Sequence, residues 1–135
     1  MIDDFTTSAL AFLIAFVAAG LFTLAFKLLY QWATPYNERT LIREGNVAAA
    51  LTLGGALIGY VLPLASALEH TVSLAEFAAW ALLAGAIQIV AVTIIRRVVM
   101  RDFSARIERG EMAAAIYMAS ISISIGVLNA ACMSS

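Results

Sequence analysis

Hydrophobic residues fill four long blocks of this chain, and the charges lie almost wholly between them. From Phe5 to Trp32 only Lys27 interrupts, and from Gly45 to Leu68, Phe77 to Ile95 and Met112 to Ser135 there is no charge at all. A helix crosses a hydrocarbon core of about 30 Å in roughly 20 residues, so each block predicts one membrane-spanning helix. The third block is short, and a start one turn earlier, at Thr71 or Ser73, leaves Glu76 near the interface. The expected fold class is all-α and integral to a membrane, with residues 1–135 as a single membrane domain.

The connections carry the orientation signal. Lys27, Arg39 and Arg43 lie in or beside the first, and Arg96, Arg97, Arg101, Arg106 and Arg109 in or beside the third. The N-terminus holds Asp3 and Asp4, and the second connection holds Glu69, His70 and Glu76 without Lys or Arg. Short cytoplasmic loops retain Lys and Arg, so both basic connections are expected inside and both termini outside, periplasmic in a bacterial inner membrane. Tyr30, Trp32 and Tyr36 would then form an inner aromatic belt, with Trp80 near the outer face. The acidic start, Met-Ile-Asp-Asp, is unlike a secretory signal, and the N-terminal block is expected to stay attached.

A shift of 65 residues superimposes the two halves, 1–65 and 66–133, without a gap: Thr6 on Thr71, Ser8 on Ser73, Phe12 on Phe77, Ala19-Gly20 on Ala84-Gly85, Ile42 on Ile107, Gly45 on Gly110, and Ala48-Ala49-Ala50 on Ala113-Ala114-Ala115. Each half holds two spans, so the copies should be two parallel, pseudo-symmetric helical hairpins related by an axis along the membrane normal. Thr34-Pro35-Tyr36-Asn37-Glu38 reads as a helix restart with Thr34 as N-cap and Pro35 at the first helical position, followed by a short interfacial helix from Arg39 to Glu44, closed by Gly45 in a left-handed conformation, with Asn46 capping the next span. Gly110-Glu111 repeats that corner. Reversed charge order, Arg43-Glu44 against Glu108-Arg109, suggests cross-pairing of Arg43 with Glu108 and of Glu44 with Arg109.

Candidate sites are few. Asn46 and Glu111 form a possible polar pair at the mouth of a shared interface, though capping alone explains both residue types. Gln88 and Asn129 are polar within spans and suit helix-to-helix hydrogen bonds as well as a ligand. Gly55 and Gly59 make a GxxxG, Ala15 and Ala19 repeat small-residue spacing in the first span, and Ser120 and Ser124 share a face of the fourth; all are candidate packing seams, with Leu53 expected to face lipid. Lys27 is expected to snorkel to the headgroups.

Composition narrows the chemistry further. The chain is 63% hydrophobic and 13% charged, against about a quarter charged in soluble domains. With basic residues divided between two corners, nucleic acid is not an expected partner. One cysteine, Cys132, permits no intramolecular disulfide, and with His70 as the single histidine neither a metal nor a cofactor is expected. No nucleophile–base set, phosphate-binding glycine loop or HExxH motif is present, so no catalytic residue is assigned.

The segments Thr34-Pro-Tyr-Asn-Glu38, Gly45-Asn-Val-Ala-Ala-Ala50, Leu57-Ile-Gly-Tyr-Val-Leu-Pro-Leu64 and Leu128-Asn-Ala-Ala-Cys-Met133 resemble the YjfL-type family of bacterial inner-membrane proteins, domain of unknown function 350. The likeness spans nearly all of the chain and includes polar and proline positions. It implies a four-helix inner-membrane protein built from a duplicated two-helix unit. Genes of that family often lie beside genes for phage-shock-type membrane-stress proteins, which implies a scaffolding or envelope-maintenance role. Two functions are therefore expected to compete: a non-enzymatic scaffold whose basic corners engage a peripheral membrane-stress protein, and a small channel or transporter that assembles as a homo-oligomer in the lipid bilayer.

Overall fold

Proline and glycine set the corners between the apolar blocks. A computed structural model describes residues 1–133, and the expected outer end of the fourth span at Ser135 lies outside the described residues. Among the described residues the helices are α1 (Ile2–Ala33), α2 (Glu38–Arg43), α3 (Val47–His70), α4 (Leu74–Val98), α5 (Phe103–Glu108) and α6 (Met112–Met133), with no strand. Four of them, α1, α3, α4 and α6, are long and apolar enough to cross a membrane. They coincide with the four expected blocks, and α4 starts where the short third block required, with Ser73 Oγ accepting from Glu76 N at 3.1 Å.

Thr34 closes α1 rather than opening α2. The ring of Pro35 holds the preceding residue extended, at φ −80° and ψ 132°, and the Thr34 hydroxyl donates back to the Tyr30 carbonyl at 2.7 Å. Asn37 caps α2 instead, accepting from Thr40 N at 3.1 Å. At the far end of α2, Gly45 adopts φ +89°, and Gly110 after α5 adopts φ +77°. Both corners close with the same pair of bonds: Gly45 N to Ile42 O and Asn46 N to Leu41 O, then Gly110 N to Ile107 O and Glu111 N to Arg106 O. This is the Schellman arrangement, in which a left-handed residue lets the chain satisfy the last helical carbonyls.

The most extensive contact joins α3 and α6. A Cβ on Gly55 would lie 2.6 Å from Cα and Cβ of Ala119, one on Gly59 would meet the Ser122 carbonyl, and one on Gly126 would meet the Gly59 carbonyl. Pro63 explains the last approach: lacking an N–H, it leaves the Gly59 carbonyl without its usual helical donor, and Gly126 packs against that oxygen. The GxxxG is thus a seam within the monomer, formed with Ala119, Ser122 and Gly126. Ser120 and Ser124 are exposed away from it, their hydroxyls closed on their own helix at Ile116 O and Ser120 O. Leu53 is buried rather than lipid-facing, because it lies on the same face of α3 as the buried Ala49, Ala56 and Tyr60, one turn before it and one and two turns after.

Helix α1 is attached differently. Its buried residues are Phe26 and Tyr30. Phe26 stacks on Tyr60 of α3 with ring centroids 4.3 Å apart, and Phe22 meets Phe77 of α4 edge-on at 5.6 Å. Ala19 is half-buried at the margin of the core, and Ala15 lies beside the α3–α4 turn. Among the described residues no side-chain hydrogen bond joins α1 to another spanning helix; its threonine hydroxyls all return to their own backbone.

Candidate functional site: a buried ionic corner

Where α1 stops, Thr34 and Pro35 turn the chain inward and deliver Tyr36 and Glu38 beneath the end of α4. Glu38, the first residue of α2, is only 2% exposed, and Arg96, in the last turn of α4, is 6% exposed. Tyr30 and Tyr36 are buried beside them, with the Arg96 guanidinium 5.9 Å from the centre of the Tyr30 ring. Tyr36 also packs against Phe103 of α5, ring centroids 6.1 Å apart. One cluster therefore ties the ends of α1, α2, α4 and α5 together.

Its polar atoms are incompletely matched. Both Glu38 carboxylate oxygens, the Tyr30 and Tyr36 hydroxyls and Arg96 Nη1 make no hydrogen bond of ordinary geometry, although Thr34 and Tyr36 lie near enough to Glu38 to act on its carboxyl, and Arg96 Nη2 reaches Thr93 Oγ1 at a long 3.5 Å. Burial pushes the Glu38 carboxyl up to about 7, against the opposing pull of Thr34, Arg96, Tyr36 and Lys27. Burial likewise raises the Tyr36 phenol above its ordinary range, with Tyr30 and Glu38 adding to it. A carboxyl that changes charge near neutrality beside a permanently charged guanidinium can act as a proton-sensitive pin between helices. Among the described residues no three His, Cys, Asp or Glu side chains converge on a metal-sized site.

The four polar residues singled out from the sequence, Asn46, Gln88, Glu111 and Asn129, are not brought into one site. Asn46 is half-buried, capping α3 through Ala49 N at 3.0 Å and donating from Nδ2 to Ile107 O at 2.8 Å, so it binds one corner to the other. Glu111 makes no pair with Asn46. It accepts from Arg109 at 3.4 Å and faces Arg106 at 3.7 Å, and this nearer partner displaces the expected Glu44–Arg109 contact. Neither that pair nor Arg43–Glu108 forms among the described residues. Gln88 is fully buried, donating to Ser122 O at 2.7 Å, and Asn129 Nδ2 donates to Ala84 O at 3.3 Å. These are direct hydrogen bonds between α4 and α6, as is usual for amide side chains at helix contacts in membranes.

The sequence profile of the family described as Domain of Unknown Function (DUF350) matches residues 4–133. The chain belongs to that family. It is 36% identical over 126 residues to the UPF0719 inner membrane protein YjfL of Escherichia coli strain K12, covering 93% of this chain and 95% of the relative. The protein of the same description from Escherichia coli O157:H7 aligns with the same figures. No solved structure matches the chain. With its four apolar helices and inner-membrane relatives, this DUF350 member is a multi-pass inner-membrane protein.

Sequence reasoning passed over the cluster itself. In this DUF350 member Tyr30 and Tyr36 read as interfacial aromatics, yet both are buried, and of that group Trp32 alone stands out, 86% exposed. Glu38 and Arg96 looked like ordinary boundary charges. A weak signal existed: Phe26, Tyr30 and Thr34 are spaced by four, which keeps them on one side of α1 up to its C-cap.

Proposed function

We propose that this DUF350 protein is a non-enzymatic scaffold in the inner membrane, whose basic corner end, carrying α2 and α5, faces the cytoplasm and engages a peripheral membrane-stress protein. The observation that carries this reading is where the polar groups are used. Within the spans Tyr60 donates to Ala81 O at 3.0 Å, Ser66 to Ala130 O at 3.2 Å, and Gln88 and Asn129 to neighbouring helices, so polar side chains serve as joints. Arg39, Arg43, Arg97 and Arg101, by contrast, stand exposed at the corner end without an ion pair among the described residues.

Bond-for-bond likeness of the two corners and the side-by-side course of α3 and α6 support the further reading of two parallel, pseudo-symmetric hairpins descended from a repeat. Slight burial of α1 supports a homo-oligomer in which that helix meets another copy. The conduit reading has one observation on its side: Gln88 Oε1 and Ser122 Oγ lie buried together in the bundle without hydrogen-bond partners.

Reconstitution in liposomes and recruitment in cells test the scaffold against the conduit. The scaffold requires no ion or solute flux, and loss of membrane recruitment of the peripheral stress protein when Arg39 and Arg43 are changed to Ala. Robust flux abolished by Gln88→Leu would overturn it, as would recruitment indifferent to those arginines.

A further inference from the structure

Beside the ionic corner, on the outer side of Arg96, lies a pocket of about 250 Å³ between the end of α4, the start of α5 and the Ala33–Pro35 turn. Arg96, Arg97 and Arg101 line it with Ser104, over an apolar floor of Met100 and Phe103. It contains three guanidinium groups and no acid. The nearest acidic residue in sequence, Asp102, is taken by Arg106 at 3.0 Å. Arg97 and Arg101 have no ion pair among the described residues, and Arg96, buried, has an unpartnered Nη1. The Glu38 carboxyl acts on Arg96 within the ionic corner, but no acid among the described residues pairs with Arg97 or Arg101, and an acceptor from outside the chain would satisfy them.

The missing acceptor has a definable chemistry. Guanidinium groups match phosphate oxygens with paired, charge-assisted hydrogen bonds, and the volume far exceeds the 10–15 Å³ or so that one water needs. The location supplies the rest. The pocket opens at the last turn of a spanning helix, next to Ile94 and Val98, which are exposed at 54% and 68% and offer an apolar track for an acyl chain. A headgroup carrying its own ammonium would meet surplus positive charge, whereas one bearing only phosphate would not.

We propose that this pocket binds the phosphodiester of an anionic phospholipid, with Arg97 and Arg101 gripping the phosphate oxygens, Arg96 completing the set from below, and the acyl chains lying along Ile94 and Val98. Arg97 and Arg101 also belong to the exposed basic set named above, but lipid binding is measured without the partner protein, so failure of this site and failure of that reading are distinguishable. A lipid with two phosphates, such as cardiolipin, satisfies three guanidinium groups better than one with a single phosphate.

The test uses the full chain, purified in non-ionic detergent and stripped of lipid, with a fluorescent cardiolipin as probe and phosphatidylglycerol, phosphatidylcholine or inorganic phosphate as competitors. Arg97→Gln and Arg101→Gln are exposed changes, and circular dichroism verifies that each variant keeps its helices. Each should weaken cardiolipin binding about fivefold, the worth of one arginine near an anionic surface. Arg97→Lys should recover part of the loss, and the pair Arg39→Gln with Arg43→Gln, which removes equal charge elsewhere, should change binding little. Phosphatidylglycerol should compete and phosphatidylcholine should not. The proposal is overturned if cardiolipin binding survives both pocket substitutions or if the Arg39 and Arg43 changes weaken it equally. It is overturned too if inorganic phosphate displaces the probe as well as phosphatidylglycerol does, which would make the pocket a soluble-anion site.

Discussion

Neighbouring glycines on α3 should respond to the same substitution with opposite signs. At Gly54 an added Cβ meets nothing within 4 Å, so Gly54→Ala gains helix propensity alone, up to about 1 kcal/mol. At Gly55 the same methyl would sit 2.6 Å from both Cα and Cβ of Ala119. Restoring ordinary contact requires α3 and α6 to part locally by about 1 Å, which forfeits a quarter to a half of each nearby dispersion contact. Overpacking of this kind costs about 1–3 kcal/mol, so after the propensity gain Gly55→Ala should lose up to about 2 kcal/mol. Gly59→Ala should lose more. Its methyl would press on the Ser122 carbonyl and lie 2.6 Å from Gln88 Nε2, threatening the bond between those groups, worth about 1 kcal/mol. Unfolding in detergent micelles, by temperature or by titration with a denaturing detergent and followed by circular dichroism, gives the ranking. Equal shifts at Gly54 and Gly55, or a stabilised Gly59→Ala, would refute the seam.

Three further outcomes are expected. Since burial raises Glu38 from an ordinary 4.5 to about 7, the folded state binds the extra proton between those values; its stabilising contribution is full below about 4.5 and lost as pH rises through 7, bounded at about 3 kcal/mol. Glu38→Gln should flatten that part of the pH–stability curve, and an unchanged slope would show that another group titrates there. Asn46→Ala should cost about 1–2 kcal/mol by removing a helix cap and the bond to Ile107, with Asn46→Asp retaining the cap and so about half of the loss, measured by the same unfolding. In a Cys132→Ser background, cysteines at Glu69 should react with an impermeant reagent in sealed cells while those at Arg39 and Arg106 should not, and the reverse pattern would invert the proposed topology.

What the sequence by itself determined are the features whose causes are local or set by the solvent. Hydrocarbon demands about 20 apolar residues per crossing, so the four spans were legible in the placement of Lys, Arg, Asp and Glu. Gly45 and Gly110 announce left-handed turns because few other residues tolerate that backbone, and Asn46 and Ser73 announce caps through a side chain of the right reach. Facing is another matter. In a soluble helix polar residues mark the outer side, but here lipid and core are equally apolar, so hydrophobic periodicity does not separate Leu53, which is buried, from Ile58, which is 52% exposed. Tertiary structure alone selected Ser122 and Gly126 over Ser120 and Ser124 for the seam, since the choice depends on how α6 is rotated against α3. It also brought together Glu38 and Arg96, which begin and end different helices far apart in the chain. No local rule couples those two residues; they come near each other, without an ion pair among the described residues, because the Thr34–Pro35 turn folds the chain back beneath α4, and burial there sets two ordinary boundary charges into one corner.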